Sequence, residues 1–123
     1  MMQLQVLLVA GTHGNEINGI WLFEQWQKSP SLINTHGIKT YRVIANPEAK
    51  KAGKRYINND LNRSFVEKSF TSINSSNLEA KRANQLVQMY GNEGKNPCHI
   101  ALDFHTTTAS MGSCLVVYGR RDA

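Results

Sequence analysis

The sequence predicts an α/β domain, a mainly parallel or mixed sheet flanked by helices, as a single unit over residues 1–123. Three observations predict it. Near-continuous apolar runs of strand length, Gln3 to Ala10 and Cys98 to Phe104, suit strands covered on both faces. Two segments with helical apolar spacing alternate with strand-like runs. Clusters of Gly, Pro, Ser and Asn separate them, giving the order β-α-β-loop-α-β-β, with no internal repeat or domain boundary.

Each element has its own signal. The run from Gln3 to Ala10 is broken by Gly11 and Gly14. From Asn15 to about Lys28, Ile17, Ile20, Trp21, Phe23 and Trp26 give a broad apolar helical face, and Ser29-Pro30 ends it. A polar loop, Ser31 to Gly37, leads to a strand from Ile38 to Ala45, where Tyr41, Val43 and Ile44 are of strand type and Asn46-Pro47 stops the run. Glu48 to Phe65 is least like regular structure: it is rich in Lys and Arg, with Ala52, Tyr56, Ile57, Leu61 and Phe65 as its apolar anchors. After a Ser/Asn/Thr loop from Ser69 to Asn77, Ser76-Asn77-Leu78-Glu79 has capping-box spacing, the Ser hydroxyl and Glu carboxylate satisfying free helix amides. Ala83, Leu86, Val87 and Tyr90 follow at helical spacing, and Gly91 is positioned to cap the C-terminus. The buried strand Cys98 to Phe104 opens into His105-Thr106-Thr107-Thr108, and a fourth strand is expected from Ser113 to Tyr118.

Composition narrows the class. A chain of 123 residues can bury about two-thirds of its extended surface in one core. With 41% apolar and 19% charged residues it has the balance of a soluble globular protein. The formal charge of +5 suits an anionic partner, a nucleic acid or a small carboxylate or phosphate substrate, without choosing between them. Cys98 and Cys114 form no C-x-x-C pattern and fall in expected strands, so they read as reduced, buried small residues. The start, Met1-Met2-Gln3-Leu4-Gln5, lacks a basic n-region, and its apolar run is too short to cross a membrane. A cytoplasmic protein is expected.

The chemistry gathers at strand ends. Gly11-Thr12-His13-Gly14-Asn15-Glu16 delivers a His and a Glu into a glycine-flanked turn directly after the first strand. Imidazole nitrogen and carboxylate oxygen are both good Zn²⁺ ligands. Alone, such a pair is a weak signal, and a lone His at a strand end is more often solvated or core. His105, however, closes its strand as His13 follows the first, and ligands of open α/β sheets collect beyond the carboxyl ends of strands. Together the three give His₂Glu, the ligand set of zinc peptidases that keep the fourth position for water. Asp103 and Asn15 are candidates to orient the imidazoles. The basic stretch Lys50 to Arg55 is either a nucleic-acid patch or a solvated loop. After it, Asn62-Arg63 pairs an amide donor with a planar guanidinium, a geometry suited to a carboxylate, and Arg55 can face an oxyanion.

Four blocks then resemble one family: Gly11-Thr12-His13-Gly14-Asn15-Glu16; Asn46-Pro47; Lys54-Arg55-Tyr56-Ile57-x-x-Asp60-Leu61-Asn62-Arg63; and Asp103-Phe104-His105-Thr106-Thr107-Thr108-Ala109-Ser110-Met111-Gly112. In this order, over nearly the whole chain, they resemble the aspartoacylase family. That family sits within the aspartoacylases and succinylglutamate desuccinylases, related in fold to zinc carboxypeptidases. The Thr-Thr-x-x-Met-Gly tail after His105 looks like the aspartoacylase branch. The resemblance implies one Zn²⁺ per chain, held by His13, Glu16 and His105. It implies that Arg55 polarises the scissile amide carbonyl and that Asn62 and Arg63, with Arg55, bind the substrate. The implied reaction is hydrolysis of an N-acyl amino acid, N-acetyl-L-aspartate giving acetate and L-aspartate, with a glutamate general base.

The chain also departs from that pattern. Family members are longer, with the general-base glutamate on a later strand followed by a C-terminal domain. Glu48, Glu67, Glu79 and Glu93 match no such motif. The expectation is an N-terminal part of the enzyme, truncated before those strands and that domain. Exposed sheet edges, marginal stability or self-association, zinc binding and weak turnover follow from it. The rival readings are another N-acyl amino acid deacylase of desuccinylase or aminoacylase type, and a catalytically dead zinc-binding fragment. A nucleic-acid partner lacks aromatic platforms beyond Tyr56, and neither it nor a membrane partner is expected.

Overall fold

Seven residues, Leu4–Ala10, form the central strand β1. Its alternate side chains serve two cores. Val6, Leu8 and Ala10 pack with Ile20 and Phe23 of helix α1 (Asn18–Lys28), joined by Trp26 and Phe104. On the other face Val9 joins Val43 against Ala45, Leu61, Ala83 and Leu86, the last two from helix α3 (Leu78–Tyr90). Cover on both faces is why the run reads as continuously apolar. The computed structural model describes residues 3–65, 76–110, 112–114 and 116.

Strand β2 (Ile38–Ile44) pairs parallel with β1 from Leu4↔Ile38 to Ala10↔Ile44. Strand β3 (Ile100–Asp103) pairs parallel with its other edge, from Val6↔Ile100 to Val9↔Asp103. The order β2-β1-β3 is the expected parallel α/β sheet. Because β1 and β3 run the same way, the turn after Ala10 and the chain after Asp103 emerge side by side. That brings Gly11 to Glu16 next to His105.

Several boundaries differ from expectation for identifiable reasons. Helix α1 starts at Asn18, not Asn15, because residues 13–16 form a turn closed by the Glu16 amide donating to the His13 carbonyl (3.1 Å). Its buried face is narrower than predicted: Gly19, Ile20 and Phe23 are covered, while Ile17 and Trp21 are exposed. The segment read as irregular contains helix α2 (Pro47–Ala52), capped by the Asn46 side chain accepting from the Ala49 amide and closed by Gly53 in the left-handed region. It also contains a 3-10 turn, Leu61–Arg63, capped by Asp60 accepting from the Asn62 amide. Helix α3 is capped by Asn77, which accepts from the Ala80 amide, not by Ser76, and Glu79 turns inward instead of completing a capping box. Gly91 does close α3, its amide donating to the Val87 carbonyl, but from extended backbone.

The strand before His105 was expected to be buried; β3 is exposed along its length because, among the described residues, none of its side chains is packed into either core, whereas Ile38, Val43 and Ile44 of the other edge strand are. Neither cysteine is on a strand. Cys98 is a half-buried free thiol and Cys114 an exposed one. The expected Ser69 to Asn77 loop and fourth strand lie mostly outside the described residues. Of the latter, Ser113, Cys114 and Val116 are described and are not in a strand. Among the described residues no helix is long and apolar enough to cross a membrane.

Candidate metal centre

The turn after β1 is built by its glycines. Gly11 takes a φ of +67°, the left-handed region in which a side chain is strained. Gly14 packs on the backbone of α2, where an added Cβ would lie 2.1 Å from the Ala49 carbonyl carbon. Its amide donates to the Arg55 carbonyl (3.2 Å), so the turn and the segment after α2 are seated together.

Between the glycines, His13 is only 3% exposed. Its Nδ1 lies 3.1 Å from Glu16 Oε1, and its Nε2 lies 2.9 Å from Asp60 Oδ1. His105 repeats the arrangement: Nδ1 is 2.9 Å from Glu16 Oε2 and Nε2 is 2.8 Å from Asp103 Oδ2. Each imidazole therefore presents Nδ1 to Glu16 and is held from behind by an aspartate. A ring protonated on Nε2 donates that N–H to its aspartate and leaves the Nδ1 lone pair facing the other donors. Outer carboxylates of this kind fix the tautomer and orientation of metal-ligating histidines. Asp103 is fixed in turn, accepting from the Thr12 hydroxyl (2.9 Å), and Asn18 Nδ2 donates to the His105 carbonyl (3.1 Å).

One donor atom from each of His13, Glu16 and His105 fits within a 4.8 Å span. Tetrahedral ligands of a zinc-sized ion stand about 3.3 Å apart, given bonds of about 2.0–2.1 Å. The three residues can hold a metal ion, and among the described residues no other group of His, Cys, Asp and Glu does so. The charge balance agrees. Glu16, Asp60 and Asp103 outnumber the Arg55 guanidinium, which lies 3.8 Å from Glu16 and 3.4 Å from Asp60. Two pKa directions reflect this crowding. The hydrogen bond with Asp103, helped by the charges of Asp103 and Glu16, raises His105 above the ordinary imidazole value against the opposing effect of burial. Burial would raise Asp60, but the hydrogen bond and charge of His13, with the Asn62 amide and Arg55, hold it below the usual carboxylate value.

His13, Glu16, Arg55 and His105 line one open pocket of about 450 Å³, with Asn15 and Thr106 to Thr108 on its walls. Asn62 and Arg63 do not line it; both are exposed on the 3-10 turn that follows Asp60. Sequence reasoning missed Asp60. It stands 47 residues from His13, and its only signal was membership of the same block as Asn62 and Arg63.

The model of the succinylglutamate desuccinylase/aspartoacylase catalytic domain matches residues 2–123. A probable aspartoacylase of Prochlorococcus marinus (strain NATL2A) is 76% identical over 123 residues, all of this chain and 40% of that protein. A probable aspartoacylase of Synechococcus sp. (strain CC9605) is 49% identical over the same length and share. The chain thus spans about 40% of the length of these curated relatives. Murine aminoacylase 3 superposes with a TM-score of 0.73 at 32% identity, over 85% of this chain and 36% of that one. A succinylglutamate desuccinylase from Vibrio parahaemolyticus shares the fold, with a TM-score of 0.66 at 22% identity over 87% and 37% of the two chains.

Proposed function

We propose, from the premise that the chain belongs to the succinylglutamate desuccinylase/aspartoacylase catalytic family, that it carries the zinc centre of an N-acyl amino acid deacylase. N-acetyl-L-aspartate is the favoured substrate, since the related cyanobacterial proteins are described as probable aspartoacylases. The observation that carries the reading is the convergence of His13 Nδ1 and His105 Nδ1 on the Glu16 carboxylate, each ring backed by an aspartate.

His13, Glu16 and His105 would hold the ion. Zinc bound there supplies Lewis acidity toward water and the scissile amide carbonyl. Asp60 and Asp103 keep the two rings aimed. Arg55, about half exposed at the pocket wall, is free to turn its guanidinium from Glu16 and Asp60 toward an oxyanion or a substrate carboxylate. The family resemblance assigns Asn62 and Arg63 to the substrate's carboxylate, but both lie outside the pocket on the exposed 3-10 turn, so that role rests on the resemblance alone; the net charge of +5 favours an anionic partner.

One feature favours a second reading, zinc binding with little turnover. Among the described residues Glu16 is the carboxylate lining the pocket, and it is committed as a ligand. General-base catalysis contributes about 10²–10⁴-fold, so the 123-residue chain is expected to hydrolyse weakly.

The test is zinc content and N-acetyl-L-aspartate hydrolysis of the purified chain, with His105→Ala as control. Stoichiometric zinc with His105-dependent turnover supports the enzyme. Zinc without turnover supports the second reading. No zinc overturns both.

A further inference from the structure

Glu79 has no part in the chemistry above, yet it is fully buried on the first turn of α3. Its carboxylate has four hydrogen-bond donors. Oε1 accepts from the amides of Asn58 (2.7 Å) and Asn59 (3.0 Å), and Oε2 from the amide of Ile57 (3.3 Å) and from Asn46 Nδ2 (2.9 Å). The clasp is reciprocal: Asn58 Oδ1 accepts from the Leu78 amide at the start of α3 (2.9 Å). Asn46 also caps α2 through its Oδ1 (3.2 Å), so one carboxylate ties together the end of β2, the start of α2, residues 57–59 and α3.

Residues 54–59 have no helix or strand to hold them and are exposed. The Lys54 amide donates to the Ala49 carbonyl (3.0 Å) and the Arg55 carbonyl accepts from the Gly14 amide, while residues 57–59 are held by three successive amides aimed at one buried anion. The next residue is Asp60, which meets His13 Nε2 at 2.9 Å.

We propose that Glu79 is a positioning residue of the metal centre: by gripping the amides of residues 57–59 it sets Asp60 against His13, and so fixes how that imidazole faces the ion. The inference rests on the metal-binding reading given above. Burial alone would raise the Glu79 carboxyl; the amides of Asn59 and Asn58, the Asn46 side chain and the Ile57 amide outweigh it and hold the pKa below the usual value. The group is therefore an anion at neutral pH, as the clasp requires.

The test is Zn²⁺ affinity of the purified chain, by competition with a chromophoric chelator, for wild type, Glu79→Gln, Asp60→Asn and the double variant. Absorption of the Co²⁺-loaded proteins serves as a second readout. In Glu79→Gln an NH₂ group replaces one acceptor and faces amide donors, while the shape is kept. We expect Glu79→Gln to weaken binding about 10-fold and Asp60→Asn about 10–100-fold, the range for residues that orient a ligating histidine. If Glu79 acts through Asp60, the double variant binds no more weakly than Asp60→Asn. Multiplying effects would overturn the proposal, as would wild-type affinity and an unchanged Co²⁺ spectrum in a folded Glu79→Gln. Should Glu79→Gln fail to fold by far-UV circular dichroism, Asn58→Ala, which removes only the exposed side-chain half of the clasp, takes its place in the same cycle under the same criteria. His13→Ala separates the two levels. Retained affinity there overturns the metal reading itself, whereas loss there with retention in Glu79→Gln overturns only the positioning role.

Discussion

At the scale of single residues the site depends on atoms that are missing as much as on those present. Gly14 lacks the Cβ that would meet the Ala49 carbonyl carbon at 2.1 Å and the Lys50 nitrogen at 2.3 Å. Both are backbone atoms of α2 and cannot swing aside. Gly14→Ala is therefore expected to cost about 1–3 kcal/mol, as overpacking does, read as a lower urea midpoint. Because the Gly14 amide holds the Arg55 carbonyl, zinc affinity should fall with it. Arg55→Lys is the contrasting case. The side chain is 53% exposed, so its ion pairs with Glu16 and Asp60 are screened. Its replacement should leave stability within about 0.5 kcal/mol. Loss of the planar fork should nonetheless lower N-acetyl-L-aspartate hydrolysis, or substrate binding where turnover is too slow to follow. Unchanged kinetics in Arg55→Lys would remove Arg55 from the reaction.

At the scale of elements, what the sequence made legible depends on whether a pattern had one structural meaning. The run Leu4–Ala10 is of strand length and near-continuously apolar, as a strand with two covered faces should be, and α1 and α3 cover them. His13 and His105 converge because parallel strands end at the same edge, which the order of elements already implied. Ser76-Asn77-Leu78-Glu79 was ambiguous, since its spacing fits a glutamate folded back on its own helix end as well as one turned into the loop before it. Tertiary partners, Asn46 and the amides of 57–59, decided for the second, and Asn77 took over the cap. The two asparagine caps should differ accordingly. Asn77→Ala loses one cap bond on α3, expected at about 1 kcal/mol. Asn46→Ala, fully buried, loses the α2 cap and also strips a donor from Glu79, so it should destabilise more, as thermal melts of the two variants would show. The clasp also carries a pH signature. With its folded pKa depressed, Glu79 stabilises the protein fully above the unfolded carboxyl value of about 4.3, and that contribution is lost as pH falls through the folded value. Urea titrations from pH 7 down to 3 should show wild type losing more stability over that window than Glu79→Gln. Equal losses would mean the carboxylate is not anionic in the clasp.

At the scale of the whole molecule the two flanks of the sheet are unlike. Beside β1, β2 contributes Val43 to the core that packs against α3, and Arg82 of that helix donates to the carbonyls of Ala45 (2.6 Å) and Ile44 (3.0 Å). At the opposite edge β3 is open, with Ile100 at 45% and Leu102 at 40% exposure, and among the described residues its outer hydrogen-bonding edge is unpaired. An exposed apolar strand edge is a template for pairing with another chain. The purified chain is therefore expected to self-associate as its concentration rises, read by light scattering or sedimentation across a hundredfold dilution. Leu102→Lys puts a charge on that edge and should shift the population toward monomer. If self-association persists unchanged in Leu102→Lys, the contact lies elsewhere, and the exposed Ile17 and Trp21 at the start of α1 become the surface to charge next.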